Sequence, residues 1–86
     1  MYIARHKKFD KQFKKLTLAQ QQSFTKKLSL FINKKNYESL RIHSLSGKYN
    51  GCMSMNVTGN IRAIFETVDT DTIFFIAIGS HSTLYH

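Results

Sequence analysis

The sequence predicts an α+β fold, a helical hairpin packed on a small antiparallel sheet in the order β-α-α-β-β-β. Two observations carry the prediction. Between Phe9 and Ile32 the apolar residues recur at helical spacing in two stretches. After Tyr37 the pattern changes to short apolar or alternating runs separated by turn residues. At 86 residues and 42% hydrophobic, the chain is expected to be one domain, residues 1–86.

Tyr2-Ile3-Ala4 is short, apolar and β-prone, and reads as a brief first strand. Phe9, Phe13 and Leu16 then share one face of a helix, with Lys8, Lys11, Lys14 and Lys15 on its other sides. Thr17 with Gln20 three residues on has the form of a capping box and opens a second helix. Phe24, Leu28, Phe31 and Ile32 form its apolar face, and it fades around Asn33-Lys34-Lys35-Asn36. So short a connection makes the two helices an antiparallel hairpin.

Leu40, Ile42 and Leu45 bracket a first β segment that ends at Ser46-Gly47. In Gly51 to Val57, Met53, Met55 and Val57 alternate against Cys52, Ser54 and Asn56. Thr58-Gly59-Asn60 is turn chemistry, with Gly59 able to take a positive φ. Ile61 to Thr67 is the next run, Asp69-Thr70-Asp71 the next turn. Thr72 to Ile78 is nearly continuous in apolar residues, as in an inner strand covered on both faces. Gly79-Ser80 is expected to break it and release a short tail to His86. A chain this short buries about 60–65% of its unfolded surface, so one helix–sheet interface is expected to be the whole core.

Several function classes are excluded. No apolar run approaches the ~18–20 residues of a membrane span. The start, Met1 to Lys8, lacks the apolar core of a secretory signal, so a cytoplasmic chain is expected. Cys52 is alone, which leaves no intrachain disulfide framework and no cysteine zinc cluster. The histidines at 6, 43, 81 and 86 match no metal-ligand spacing, and the four glycines lie at separate turns rather than in a phosphate loop. No metal and no cofactor are expected.

The formal charge of +8 is unevenly placed. Residues 1–35 hold ten Lys and Arg against Asp10, whereas residues 36–86 hold three against four acidic residues. A basic half is the footprint of a polyanion partner, because neutralised phosphates release counterions.

His43, Arg62, His81 and Tyr85 are the candidates for chemistry, all in the β half. The strand holding Arg62 neighbours the one that leads to His81, and a folded-back tail would bring His81 and Tyr85 over the same sheet face. Here the segments Leu40-Arg41-Ile42-His43-Ser44-Leu45-Ser46-Gly47, Ile61-Arg62-Ala63-Ile64-Phe65 and Ile78-Gly79-Ser80-His81-Ser82-Thr83-Leu84-Tyr85 resemble the RelE/ParE superfamily of type II toxin–antitoxin toxins. The closing Gly-Ser-His-Ser-x-Leu-Tyr is most similar to the YafQ-like branch.

The resemblance implies a RelE-like fold and a metal-independent endoribonuclease that cuts mRNA on the ribosome and is silenced by a cognate antitoxin in a hetero-oligomer. It implies His81 as general acid, Tyr85 as the aromatic that stacks on or orients a base, His43 as a contributing histidine and Arg62 as the phosphate ligand. Histidine suits proton transfer near neutral pH, and a guanidinium matches phosphoryl oxygens. The chain departs from the branch at Asn56, where the pattern has a second histidine, and at Asn60, where it has a carboxylate. Neither amide can act as a base near neutral pH, so either His43 takes the base role, or the chain cleaves slowly, or it no longer cleaves. The alternatives are a non-catalytic ParE-like toxin acting on DNA gyrase, and a basic RNA-binding module. Lys14, Lys15, Lys26, Lys27 and Lys48 are the expected RNA- and ribosome-binding cations. On this division the helices dock while a few groups on the sheet handle the scissile phosphate.

Overall fold

The computed structural model describes residues 1–34 and 37–85. Strand β1 (Tyr2–Arg5) leads into helices α1 (Lys7–Lys14) and α2 (Leu18–Ile32). A 3₁₀ turn (Tyr37–Leu40), β2 (His43–Ser44) and a second 3₁₀ turn (Gly47–Tyr49) follow. Then come β3 (Met53–Asn56), β4 (Ile61–Asp69), β5 (Thr72–Ser80) and a one-turn helix α3 (His81–Leu84). The described strands form one sheet in the order β1-β5-β4-β3-β2. All neighbours are antiparallel except β1, which lies parallel to β5 with Tyr2 opposite Thr72 and Arg5 opposite Phe75.

The hairpin forms for the reasons its sequence suggested. Thr17 Oγ1 accepts from the Gln20 amide at 3.1 Å while the Thr17 amide donates to Gln20 Oε1 at 2.9 Å, which satisfies two otherwise orphan donors at the start of α2. Gln21 closes the other helix by donating to the Phe13 carbonyl at 3.1 Å. Phe9, Phe24 and Phe75 then meet with ring centroids 5.3–5.5 Å apart, pinning both helices to β5. Where β1 ends, Gln12 of α1 takes over: its Oε1 accepts from the Ile78 amide at 3.0 Å on the edge β1 no longer covers. The fade-out of α2 begins as expected, with Asn33 as its cap and Lys34 in the left-handed region at φ 54°. Lys35 and Asn36 lie outside the described residues.

Four expectations are corrected. The segment around Leu40–Leu45 is mostly 3₁₀ turn and loop, with only His43–Ser44 in strand geometry. Gly59 does not take a positive φ; the glycines that do are Gly47 (66°) and Gly51 (89°), which fold the loop before β3. Gly79 and Ser80 do not break β5. Gly79 pairs with Arg62 inside the ladder, and a Cβ there would sit 3.2 Å from Thr83 Cγ2. The residue is glycine so that α3 can pack close to the strand.

The fourth correction concerns the core. On the hairpin side Phe9, Phe24 and Phe31 pack over Met55, Phe65 and Phe75. The opposite face carries a second, smaller core in which Tyr49, Cys52 and Leu84 cover Ile64 and Ala77. A register shift between Ile64 and Phe65 skips Ile76 in the ladder, so the consecutive residues Ile76 and Ala77 both serve this second cluster. The sheet is thus covered on both sides. No helix of the described residues is long and apolar enough to cross a membrane.

Candidate active site

β5 passes into α3 without a connecting residue. The Ser80 hydroxyl makes this possible by accepting from the Thr83 amide at 3.3 Å, the bond of an N-cap. A single helical turn then places residues four apart on one side. The His81 and Tyr85 rings accordingly stack at 4.7 Å with 29° between their planes, both exposed.

The far end of α3 is held from the neighbouring loop. Tyr49 Oη donates to the Leu84 carbonyl at 2.9 Å, and Lys48 Nζ donates to the same oxygen at 3.1 Å. The Tyr49 ring meets Tyr85 edge-on at 5.4 Å. Burial pushes the Tyr49 phenol above its ordinary pKa, with Tyr85 and Cys52 adding to the rise. Tyr49 therefore stays protonated near neutral pH and remains a donor. Burial, followed by the nearby Glu66 charge, likewise raises the Cys52 thiol.

Arg62 is half-buried on β4, on the sheet face opposite the hairpin. Its Nη1 donates to the carbonyls of Thr58, Gly59 and Ile61 at 3.1–3.3 Å, so the β3–β4 turn grips one arm of the guanidinium and fixes its plane. Arg62, His81 and Tyr85 line one open cleft of about 540 Å³, whose floor includes Ser54 and Ile64 and whose rim includes Asn60. Arg62 is thus brought together with His81 and Tyr85, which lie about twenty residues further along the chain.

His43 stands one strand away. It pairs with Ser54 across β2 and β3, so it shares the cleft's face without lining the cleft itself. Its Nδ1 lies 2.9 Å from the Arg41 carbonyl oxygen, which can only accept. Nδ1 therefore carries the hydrogen, and in the neutral ring Nε2 keeps its lone pair. Asn60, on the rim, accepts from the Thr58 hydroxyl at 3.2 Å. Asn56 pairs with Arg62 across the β3–β4 ladder and lies outside this cleft.

The lysines divide. Lys14, Lys15 and Lys26 are exposed on the hairpin, whereas Lys27 is half-buried and turned toward the sheet turn that holds Arg62. Lys48 is tied to α3 through Leu84. Sequence reasoning missed Tyr49 and Ser54. Nothing in their spacing marks them, because Tyr49 sits in an irregular loop and the place of Ser54 follows only from strand register. Among the described residues no group of three or more His, Cys, Asp or Glu side chains could hold a metal ion.

A family model described as bacterial toxin of type II toxin-antitoxin system, YafQ, matches residues 1–86. No curated protein matches the sequence significantly. Among solved structures, the chain resembles YafQ from E. coli at 20% identity and a TM-score of 0.77, covering 98% of this chain and 97% of that one. It resembles a chain of the E. coli DinJ-YafQ toxin-antitoxin complex at 21% identity and a TM-score of 0.74, covering 98% and 96%. It also resembles a chain of the RelB-RelE antitoxin-toxin complex from Methanococcus jannaschii at 23% identity and a TM-score of 0.74, covering 95% and 94%. These structural likenesses establish a shared fold.

Proposed function

We propose, from the premise that this chain belongs to the YafQ family of type II toxin–antitoxin toxins, that it is an endoribonuclease cutting mRNA on the ribosome. The observation that carries this reading is the convergence of Arg62, His81 and Tyr85 on one cleft. In the proposed reaction the RNA 2′-oxygen attacks the adjacent phosphorus and the bond from phosphorus to the 5′-oxygen breaks. A 2′,3′-cyclic phosphate and a 5′-hydroxyl result.

Each group has a task suited to its setting. His43 Nε2 takes the 2′-hydroxyl proton, the tautomer being set by the Arg41 carbonyl. Protonated His81 gives a proton to the departing 5′-oxygen. Arg62, with its plane fixed by the turn carbonyls, offers its remaining donors to the phosphoryl oxygens as negative charge builds there. Tyr85 supplies a ring on which a base stacks beside His81. Asn60 and Asn56 take no proton.

A cognate antitoxin is the proposed regulatory partner. Support comes from the family and from the fold shared with the E. coli chain solved in complex with DinJ. A surface of formal charge +8 suits an acidic segment that folds on binding. The test is cleavage of mRNA on translating ribosomes by the wild-type protein and by His81→Ala. Wild type is expected to cut, and His81→Ala to be at least about 100-fold slower. Equal rates would overturn the role of His81. Intact mRNA together with inhibited gyrase would overturn the reading as a nuclease.

A further inference from the structure

A second concavity of about 390 Å³ lies on the other side of Arg62, between α2, the first 3₁₀ turn and the β3–β4 turn. Lys27, Arg41 and Arg62 line it, together with Ser39, Asn56 and Thr58, and among the described residues no carboxylate does. Three cations from three separate elements therefore meet around one polar hollow. A polar hollow lined by cations and by no carboxylate attracts an anion.

Arg41 adds an independent observation. Its φ is 48°, in the left-handed region that a side chain with a Cβ occupies at a cost. Glycine would hold this backbone more comfortably, and strain of this kind collects at functional sites. In this conformation the Arg41 carbonyl meets His43 Nδ1 while the residue also lines the hollow. One strained residue thus serves both the histidine and the cation cluster.

We propose that Lys27, Arg41 and Arg62 form a second anion subsite, which holds a backbone phosphate of the RNA next to the scissile one. This rests on the nuclease reading. Arg62 belongs to both concavities, as does Gly59, so a strand lying across this ridge presents successive phosphates to the two sides. The ligand is a phosphodiester, and recognition is blind to base identity. Lys27 is thereby a substrate ligand rather than part of a remote docking face.

The test is direct binding of a short single-stranded RNA, 2′-O-methylated so that it cannot be cut, measured by fluorescence anisotropy across a salt series. The variants are Lys27→Gln, Arg41→Gly and Arg41→Lys, with Lys8→Gln as a control that removes one charge from the start of α1. Each single-strand phosphate that a variant no longer neutralises lowers the salt slope by about 0.7. Lys27→Gln and Arg41→Gly are each expected to weaken binding about five- to tenfold and to lower the slope by that amount. Arg41→Lys should keep most of the slope, and Lys8→Gln should change it little. Arg41→Gly should also melt no lower than wild type, which separates an effect on binding from one on folding. Slopes for Lys27→Gln and Arg41→Gly equal to that of Lys8→Gln, or no measurable binding by wild type, would overturn the subsite. If those slopes fall as expected while wild-type protein leaves ribosomal mRNA intact, the subsite stands and the nuclease reading fails.

Discussion

His81 and Tyr85 stack face to face at 4.7 Å because a single helical turn, capped by Ser80, puts them on one side. The pair is preformed, so an RNA base need not order both rings on arrival. Tyr85→Phe keeps the ring and should retain most of the proposed cleavage. Tyr85→Ala should lower it by roughly tenfold, the worth of about 1–3 kcal/mol of base stacking. Single-turnover cleavage on ribosomes measures both, and equal rates for Phe and Ala would remove stacking from the account.

Tyr49 anchors that pair from below. Tyr49→Phe removes the bond to the Leu84 carbonyl and should cost about 1 kcal/mol by urea unfolding. Cleavage should fall as well, since α3 loses a tether, although the ring that Tyr85 packs against edge-on is kept. A stability loss with unchanged cleavage would limit Tyr49 to the second core.

Gly79 lies where a methyl group would press on Thr83 Cγ2 at 3.2 Å. Gly79→Ala should displace α3 and reduce cleavage more than it reduces stability. Adding Thr83→Ser, which removes the obstructing methyl, should restore part of the activity. Failure of this double substitution to recover any activity would move the obstruction to Thr83 Cβ, 3.3 Å away and still present in serine.

The buried Tyr49 and Cys52 hold their protons more tightly than they do in the unfolded chain. For such groups stability is fully present below the unfolded pKa and is lost as pH rises through the folded one. The loss should therefore appear in alkaline solution, above the ordinary thiol and phenol range, with no contribution from either group near neutrality. Thermal melts from pH 7 to 11 measure it. At pH 7.5 Cys52 should react with iodoacetamide far more slowly in folded protein than in urea.

Thr17→Ala removes the capping box at the start of α2 and should cost about 1 kcal/mol. Thr17 lies on the hairpin, away from the cleft, so the proposed cleavage should be unchanged below the melting temperature.

The hairpin was legible because its signals are local. The Thr17–Gln20 box and the phenylalanine spacing each act within one or two turns of chain. The second core was not legible. Tyr49, Cys52 and Leu84 come from loops and a four-residue helix, too short for any periodicity to show. Gly79 was misread because glycine serves both chain breaks and close approaches, and the sequence of β5 alone cannot distinguish them. Of the candidate site, Arg62, His81 and Tyr85 could be grouped from strand adjacency. The orientation of His43 depends on a left-handed Arg41, which no local pattern announces.

The parallel pairing of β1 with β5 has a consequence for when the molecule comes into being. Residues 2–5 wait for residues 72–75, so the sheet closes only after nearly all of this sequence has been synthesised. A polypeptide interrupted before Thr72 lacks β5 and α3, and with them the His81 side of the cleft. On the proposed function, truncated products of translation are expected to be inactive, and the interval between starting and finishing each chain is time in which a neutralising partner can already be present.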